Sequence, residues 1–299
     1  MTGFTDLRPM TVGEILDRSF QVLRQHVGTL FVTALIGILP LLGLYLTMAP
    51  YAGAVSPEAM AAMTTLFLVF YLLILMTTAV SWGALTRDVN RVVRGEPVSL
   101  TDGLRHGLRA FFRIAGLWLL VTLAAVGAFL VPVLGAAIVL VGVSVIVGEG
   151  VLAGLLTFGL VLAALAIGLL LWAPVAFMGL PALMVEGLGP LRSLRRAHEL
   201  GKGGRLRVTV TAFVAWLIVT LPAIGVPFLL GIGAALWDPA AAGTATATQL
   251  YLYQAISFLV TGLTTPFMVA VMVFTYYDRR VRREGYDVEL VAESIPTTG

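Results

Sequence analysis

The chain alternates between long apolar runs and short polar stretches rich in arginine. The runs cover residues 27–48, 63–85, 114–141, 151–184, 208–236 and 250–277. About 20 apolar residues in a helix cross a hydrocarbon core roughly 30 Å thick, so each run predicts one transmembrane helix. The nearly unbroken apolar sequence from Ile114 to Pro181 is divided into two spans at Gly148-Glu149-Gly150, because the basic stretches flanking it must share one membrane face. Pro40, Pro132, Pro174, Pro181, Pro222, Pro227 and Pro266 fall inside the runs and are expected to bend them.

Between the runs, residues 11–26, 99–113 and 189–200 predict amphipathic helices at the membrane surface. In the first, Thr11 and Glu14 have the spacing of a capping box, and Val12, Ile15, Leu16, Phe20, Leu23 and Val27 recur at helical spacing. In the second, Ser99 and Asp102 have N-cap spacing. Leu100, Leu104, Leu108 and Phe111 form an apolar stripe there, and Arg105, Arg109 and Arg113 recur on a separate face. In the third, Pro190 takes a first helical position and Leu191, Leu194 and Ala197 oppose Arg192, Arg195 and Arg196. Gly201, Gly203 and Gly204 then end that helix. A cationic face beside apolar residues suits anionic headgroups, with the arginine stems lying along the apolar layer. The same stripes would equally serve helices packed on the ends of the spans.

Charge places these elements. Apolar residues make up 59% of the chain and charged residues 12%, against roughly a quarter charged in a soluble domain. The 19 Lys and Arg residues fall into four blocks, 8–24, 87–113, 192–207 and 279–283, and the intervening polar segments carry Glu58, Glu149 or Asp238 instead. The positive-inside rule then puts all four blocks and both termini on the cytoplasmic side of the cell membrane, with an even number of spans. The first run, preceded by a long polar segment and followed by Ala52-Gly53-Ala54, is read as a retained anchor because it exceeds the about 7 to 15 apolar residues of a signal peptide. The predicted fold is an all-α polytopic bundle of six transmembrane helices with cytoplasmic surface helices. It forms one membrane domain over residues 1–285 with a short cytoplasmic tail over 286–299. The absence of cysteine excludes disulfides, thiolate metal sites and cysteine nucleophiles.

An internal repeat is written into the spans. Residues 118–127 read WLLVTLAAVG and residues 216–225 read WLIVTLPAIG, and Val32-Thr33 recurs as Val121-Thr122 and Val219-Thr220. This suggests three modules of surface helix, outward span and returning span, beginning near Thr11, Ser99 and Gly189.

Candidate chemistry is sparse. The chain lacks HExxH, GxSxG, Walker A and EF-hand signatures. His26, His106 and His198 fall one per surface helix, but no i, i+4 pair supports a zinc site, and they read better as interfacial polar residues. No catalytic, cofactor-binding or metal-ligating residue is assigned. Ionisable groups inside a membrane are functional candidates, yet the apolar cores hold none. Asp88, Glu186 and Asp278 sit at the cytoplasmic ends of spans, where pairing with Arg91, Arg192 and Arg279 is expected. Trp237, Tyr251 and Tyr253 at one level, and Tyr276 and Tyr277 at the other, suit interfacial aromatic belts. By charge alone the basic blocks would suit nucleic acid. Their place at every inner membrane border makes the phospholipid bilayer the expected partner, through Arg105, Arg109, Arg113, Arg192, Arg195 and Arg196.

Three stretches carry a family resemblance: RPMTVGEILDRSFQVLRQH at the start, PALMVEGLGPLRSLRRAHELGKG in the middle and FTYYDRRVRREGYDVEL at the end. They resemble the bacterial family named for the membrane domain of glycerophosphoryl diester phosphodiesterase. In some of its members that domain precedes a soluble barrel which hydrolyses glycerophosphodiesters. This chain stops soon after Asp287, so the barrel and its metal-binding carboxylates are not expected, and the resemblance implies the membrane module without the hydrolase. The expected function is a non-enzymatic scaffold, interaction or lipid-organising module. The alternative is a transporter or lipid-handling protein with a cavity between proline-bent helices, and an intramembrane enzyme ranks third.

Overall fold

Among the described residues eight helices follow one another: α1 (Val12–Gln25), α2 (Val27–Met48), α3 (Pro57–Val93), α4 (Leu100–Val147), α5 (Val151–Val185), α6 (Pro190–Gly201), α7 (Arg205–Trp237) and α8 (Ala247–Glu284). The computed structural model describes residues 8–48, 51, 56–147, 151–237 and 247–286. The division at Gly148 to Gly150, the polar segment that begins at Asp238 and the tail after residue 286 lie outside them. Among the described residues six helices, α2, α3, α4, α5, α7 and α8, are long and apolar enough to cross a membrane. Their apolar faces stay uncovered, as on α3, where Phe67, Leu68, Tyr71 and Leu72 are exposed. Hydrocarbon is the environment in which such surface carries no penalty.

Helix boundaries follow local chemistry. Thr11 caps α1 through a complete capping box: the Glu14 amide donates to Thr11 Oγ1 at 3.2 Å, and the Thr11 amide donates to Glu14 Oε2 at 2.6 Å. Helix α3 starts earlier than the hydropathy pattern implied, at Pro57 in the polar segment ahead of the apolar run at 63–85. Ser56 caps it by accepting from the Ala59 amide at 3.2 Å, and Pro57 occupies the first turn. A second departure concerns residues 99–113, which do not form a separate surface helix but open the continuous helix α4. Helices α1 and α2 are separated at His26, with φ −126° and ψ 25°, and α6 ends beside Gly203 at φ 74°. The join from Phe111 to Ile114 contains neither glycine nor proline, so nothing there interrupts the hydrogen-bond ladder.

The buried face of α4 also differs from the expected stripe. Of that stripe Leu108 is 61% exposed and Leu100, Leu104 and Phe111 are half-buried, whereas Gly103, Gly107, Ala110 and Ile114 are buried. Matching positions are buried in all three short amphipathic segments: Ile15, Ser19 and Val22 in α1; Gly103, Gly107 and Ala110 in α4; Ser193, Ala197 and Leu200 in α6. Each presents a small residue at the middle position, where close approach needs one.

Contacts gather the chain into two compact units, Met1–Phe112 with Val214–Phe274, and Arg113–Phe213 with Thr275–Gly299. In the first, α3 is bound to α2 by hydroxyls. Ser81 donates to the Thr33 carbonyl at 2.7 Å, and Thr77 and Thr78 donate to the Gly37 carbonyl at 2.8 and 3.1 Å. Glycine permits these approaches: a Cβ at Gly37 would stand 2.5 Å from Ser81 Cβ, and one at Gly107 only 2.2 Å from the Val80 carbonyl oxygen. In the second unit Trp172 Nε1 donates to the Val121 carbonyl at 3.2 Å. There a Cβ at Gly201 would meet Pro174 Cβ at 2.7 Å.

Candidate functional site

Helices α3, α5 and α8 each run out to a glycine in the left-handed region: Gly95 at φ 74°, Gly187 at φ 67° and Gly285 at φ 64°. The polar side chains of the molecule collect just before these stops. In α3 and α8 the matching sequences read DVNRVVRG and DRRVRREG. Asp88 and Asp278 therefore occupy the same position, two helical turns ahead of the glycine, and both are buried. The sequence reading missed this match, although the aspartate-to-glycine register carries it.

Asp278 is well served. Arg282, one turn on, holds it at 2.9 and 3.1 Å, and Arg207 of α7 lies 3.5 Å away. The expected partner Arg279 turns elsewhere: its Nε donates to the Leu200 carbonyl and its Nη2 to the Lys202 carbonyl, both at 3.0 Å. Arg283 donates to the Lys202 carbonyl at 3.0 Å and also to the Glu199 carbonyl. Two cations thus close the C-terminal end of α6, where carbonyls lack helical partners and the dipole is negative. Gly204 makes room for this, since a Cβ there would lie 2.1 Å from Arg279 Nη1.

Glu186 likewise takes a partner other than the expected Arg192. It accepts from Arg196 Nε at 2.9 and 3.1 Å and from the Tyr276 hydroxyl, with Arg280 at 3.8 Å. Arg196 reaches onward to Glu284, its Nη2 standing 2.8 Å from Oε2. Burial works against the charge of Arg196, but its hydrogen bonds with Glu284 and Glu186 outweigh it and push the guanidinium pKa up. Arg280 lies 3.7 Å over the Tyr286 ring. Tyr276 and Tyr277 are fully buried here, which corrects the aromatic-belt reading. The hydroxyl of Tyr276 is committed to the Glu186 carboxylate.

At the α3 end the arrangement is different. Arg91 was expected on Asp88, but its Nη1 donates to Asp102 Oδ2 at 2.8 Å and its Nε faces Glu96 at 3.4 Å. Arg87 also uses Asp102 Oδ2, at 3.1 Å. Asp102, read as part of an N-cap, is therefore the counterion of two arginines. Both carboxylate oxygens of Asp88 are buried without a hydrogen-bond partner.

The candidate lipid-contacting arginines separate into two sets. Arg105, Arg109, Arg192 and Arg195 are exposed. Arg113 instead donates to the Gly187 carbonyl at 3.4 Å, and Arg196 is consumed by Glu186 and Glu284. On α4, Arg105, Leu108, Arg109 and Phe112 lie at helical spacing on one exposed face. On α1 an open groove of about 620 Å³ is lined by Asp17, Phe20, Gln21, Leu23, Arg24 and Val27. His198 accepts from Arg205 at 3.4 Å in its neutral form. Burial, followed by the charges of Arg205 and Lys202, lowers its pKa. Among the described residues no group of three His, Cys, Asp or Glu side chains is placed to hold a metal ion.

The helices and their uncovered apolar faces define a multi-pass helical membrane protein. The chain belongs to the family described as "Domain of unknown function (DUF7847)", whose profile matches residues 10–279. No curated protein and no solved structure matches it.

Proposed function

We propose that the protein is a non-enzymatic module of the cell membrane that gathers anionic phospholipid at its cytoplasmic border. The reading is carried by the exposed face of α4, where Arg105 and Arg109 alternate with Leu108 and Phe112. Solvated arginines next to exposed large apolar side chains suit the boundary between headgroup phosphates and acyl chains. The groove on α1 adds a headgroup-sized recess with Asp17 and Arg24 at its polar side and Phe20, Leu23 and Val27 at its apolar side. Its orientation, with both termini cytoplasmic, rests on the distribution of Lys and Arg. Kinship with the glycerophosphoryl diester phosphodiesterase membrane domain rests on the three sequence stretches that resemble it.

The test is lipid retention by the full chain in bilayer discs of mixed phosphatidylglycerol and phosphatidylcholine. Each basic residue near an anionic surface contributes about 1 kcal/mol, so Arg105→Ala with Arg109→Ala should lower preferential phosphatidylglycerol retention on the order of tenfold. Equal retention of the two lipids by the unaltered protein would sink the reading. Reporter fusions after residues 56 and 243 should report the outer side and a C-terminal fusion the inner side; the reverse would overturn the orientation. Solute flux in proteoliposomes, abolished by a change within a span, would replace this function with transport.

A further inference from the structure

The buried carboxyl of Asp88 is the group that none of the foregoing uses. It is 0% exposed, and neither oxygen has a hydrogen-bond partner. The carboxyl lies against the backbone of Gly103 in the first turn of α4, where a Cβ would stand 2.8 and 3.0 Å from its two oxygens. The charged and titratable groups around it are Arg87 and Arg91 on α3, Glu96 on the connection, and Asp102 and His106 on α4. Both arginines are drawn to Asp102, at 3.1 and 2.8 Å.

The matched carboxylate of α8 shows what the same register does when it holds a charge. Arg282 follows Asp278 by one turn and pairs with it. The equivalent residue after Asp88 is Val92, itself buried. The counterion has thus been replaced by an aliphatic side chain, and the arginine one residue earlier, Arg91, serves another acid. A buried carboxylate without a hydrogen-bond donor is strongly disfavoured, whereas the neutral acid fills the same space at a much smaller cost.

We propose that Asp88 is a proton-binding site, occupied as the neutral acid in its seat against Gly103, and that losing the proton to water draws Arg91 from Asp102 onto Asp88. A cation is already in place for this exchange. Arg91 lies one turn from Asp88, and its Nε makes no hydrogen bond in the present arrangement. A buried acid whose proton competes with a mobile arginine at the end of a spanning helix is an elementary part of a proton-responsive membrane protein. This goes beyond lipid binding and does not depend on it.

The test is carboxyl spectroscopy of the full chain in lipid discs, with aspartate carbon labelled in its side-chain carboxyl. At neutral pH the unaltered protein should show one neutral aspartic acid signal beside the ionised ones, and this signal should disappear as pH is raised. Asp88→Asn should lack it. Asp102→Asn alters a side chain that is 44% exposed and releases both arginines, so it should convert the neutral signal to an ionised one at the same pH. Only ionised aspartates in the unaltered protein, or a neutral signal that survives Asp88→Asn, would overturn the site. Should Asp88→Asn fail to fold, a neutral signal that persists unchanged in Asp102→Asn overturns the proposal on its own.

Discussion

Asp88 and Asp278 hold the same position before the glycine that ends a long apolar helix, yet one has no hydrogen-bond partner and the other is paired with cations. The difference lies in the neighbours. Around Asp278 the chain places Arg282 at the next turn and Arg207 from α7. Around Asp88 it places Val92 at the next turn and directs Arg87 and Arg91 to Asp102. A shared backbone register thus gives a fastened end in one unit and a polar vacancy in the other. The first arrangement is structural, since breaking a buried ion pair leaves an uncompensated charge. The second leaves a group free to respond to its surroundings.

The largest expected effect separates the two directly. Asp278→Asn should destabilise the protein by about 3–5 kcal/mol, because Arg207 and Arg282 lose a buried counterion. Asp88→Asn conserves shape and removes no hydrogen bond, so its change should stay below about 1.5 kcal/mol. Unfolding in matched detergent measures both, and equal losses would end the distinction.

A smaller effect probes the packing within each unit. Gly107→Ala would press a methyl group into the Val80 carbonyl at 2.2 Å, costing about 1–3 kcal/mol by overpacking. Gly179→Ala in the second unit would meet only the flexible end of Leu117 at 3.4 Å, and should be tolerated. Thermal unfolding of the two variants tests whether the α3–α4 seam is the tighter one.

Acidification sharpens the contrast further. Hydrogen bonds from the Thr11 backbone and side chain, aided by Arg8, lower the Glu14 carboxyl from 4.5 to about 2. A depressed acid contributes stability above its unfolded value and loses it as pH falls through the folded one. The melting difference between the unaltered protein and Glu14→Gln should therefore shrink between pH 4.5 and pH 2. For His198, also depressed, the neutral ring's contribution is present above its ordinary value of 6.5 and is lost as pH falls. Its ring resonances should titrate below 6.5, and a midpoint above that value would mean that burial and the charges of Arg205 and Lys202 do not govern it.

Much of the architecture is legible in local pattern. Hydropathy locates six spans because a bilayer demands about 20 apolar residues per crossing. Thr11 with Glu14, and Pro190, mark helix starts because the first helical amides need side-chain acceptors or a residue without an amide proton. Positive-φ glycines stop helices where a side chain would be strained. The candidate site is legible only in part. Glu186, Asp88 and Asp278 could be singled out as acids at span ends, but not their partners. Glu186 meets Tyr276 across 90 residues, and Arg279 reaches Leu200 across 79. Asp102 and Ser99 suggested a cap, and two arginines claimed Asp102 instead.

The sequence by itself therefore determined the membrane class, the helix starts and stops, and where charge would collect, since these follow from solvent and from neighbours within a few residues. Tertiary structure decided which cation each acid receives, and that Tyr276 and Tyr277 are buried. It also put Gly103 and Gly107, and not Leu108, on the buried face of α4. These choices depend on the side chains brought together by packing. Whether a buried carboxyl is paired or solitary is settled by geometry between distant segments, as Asp88 and Asp278 show at a single shared register.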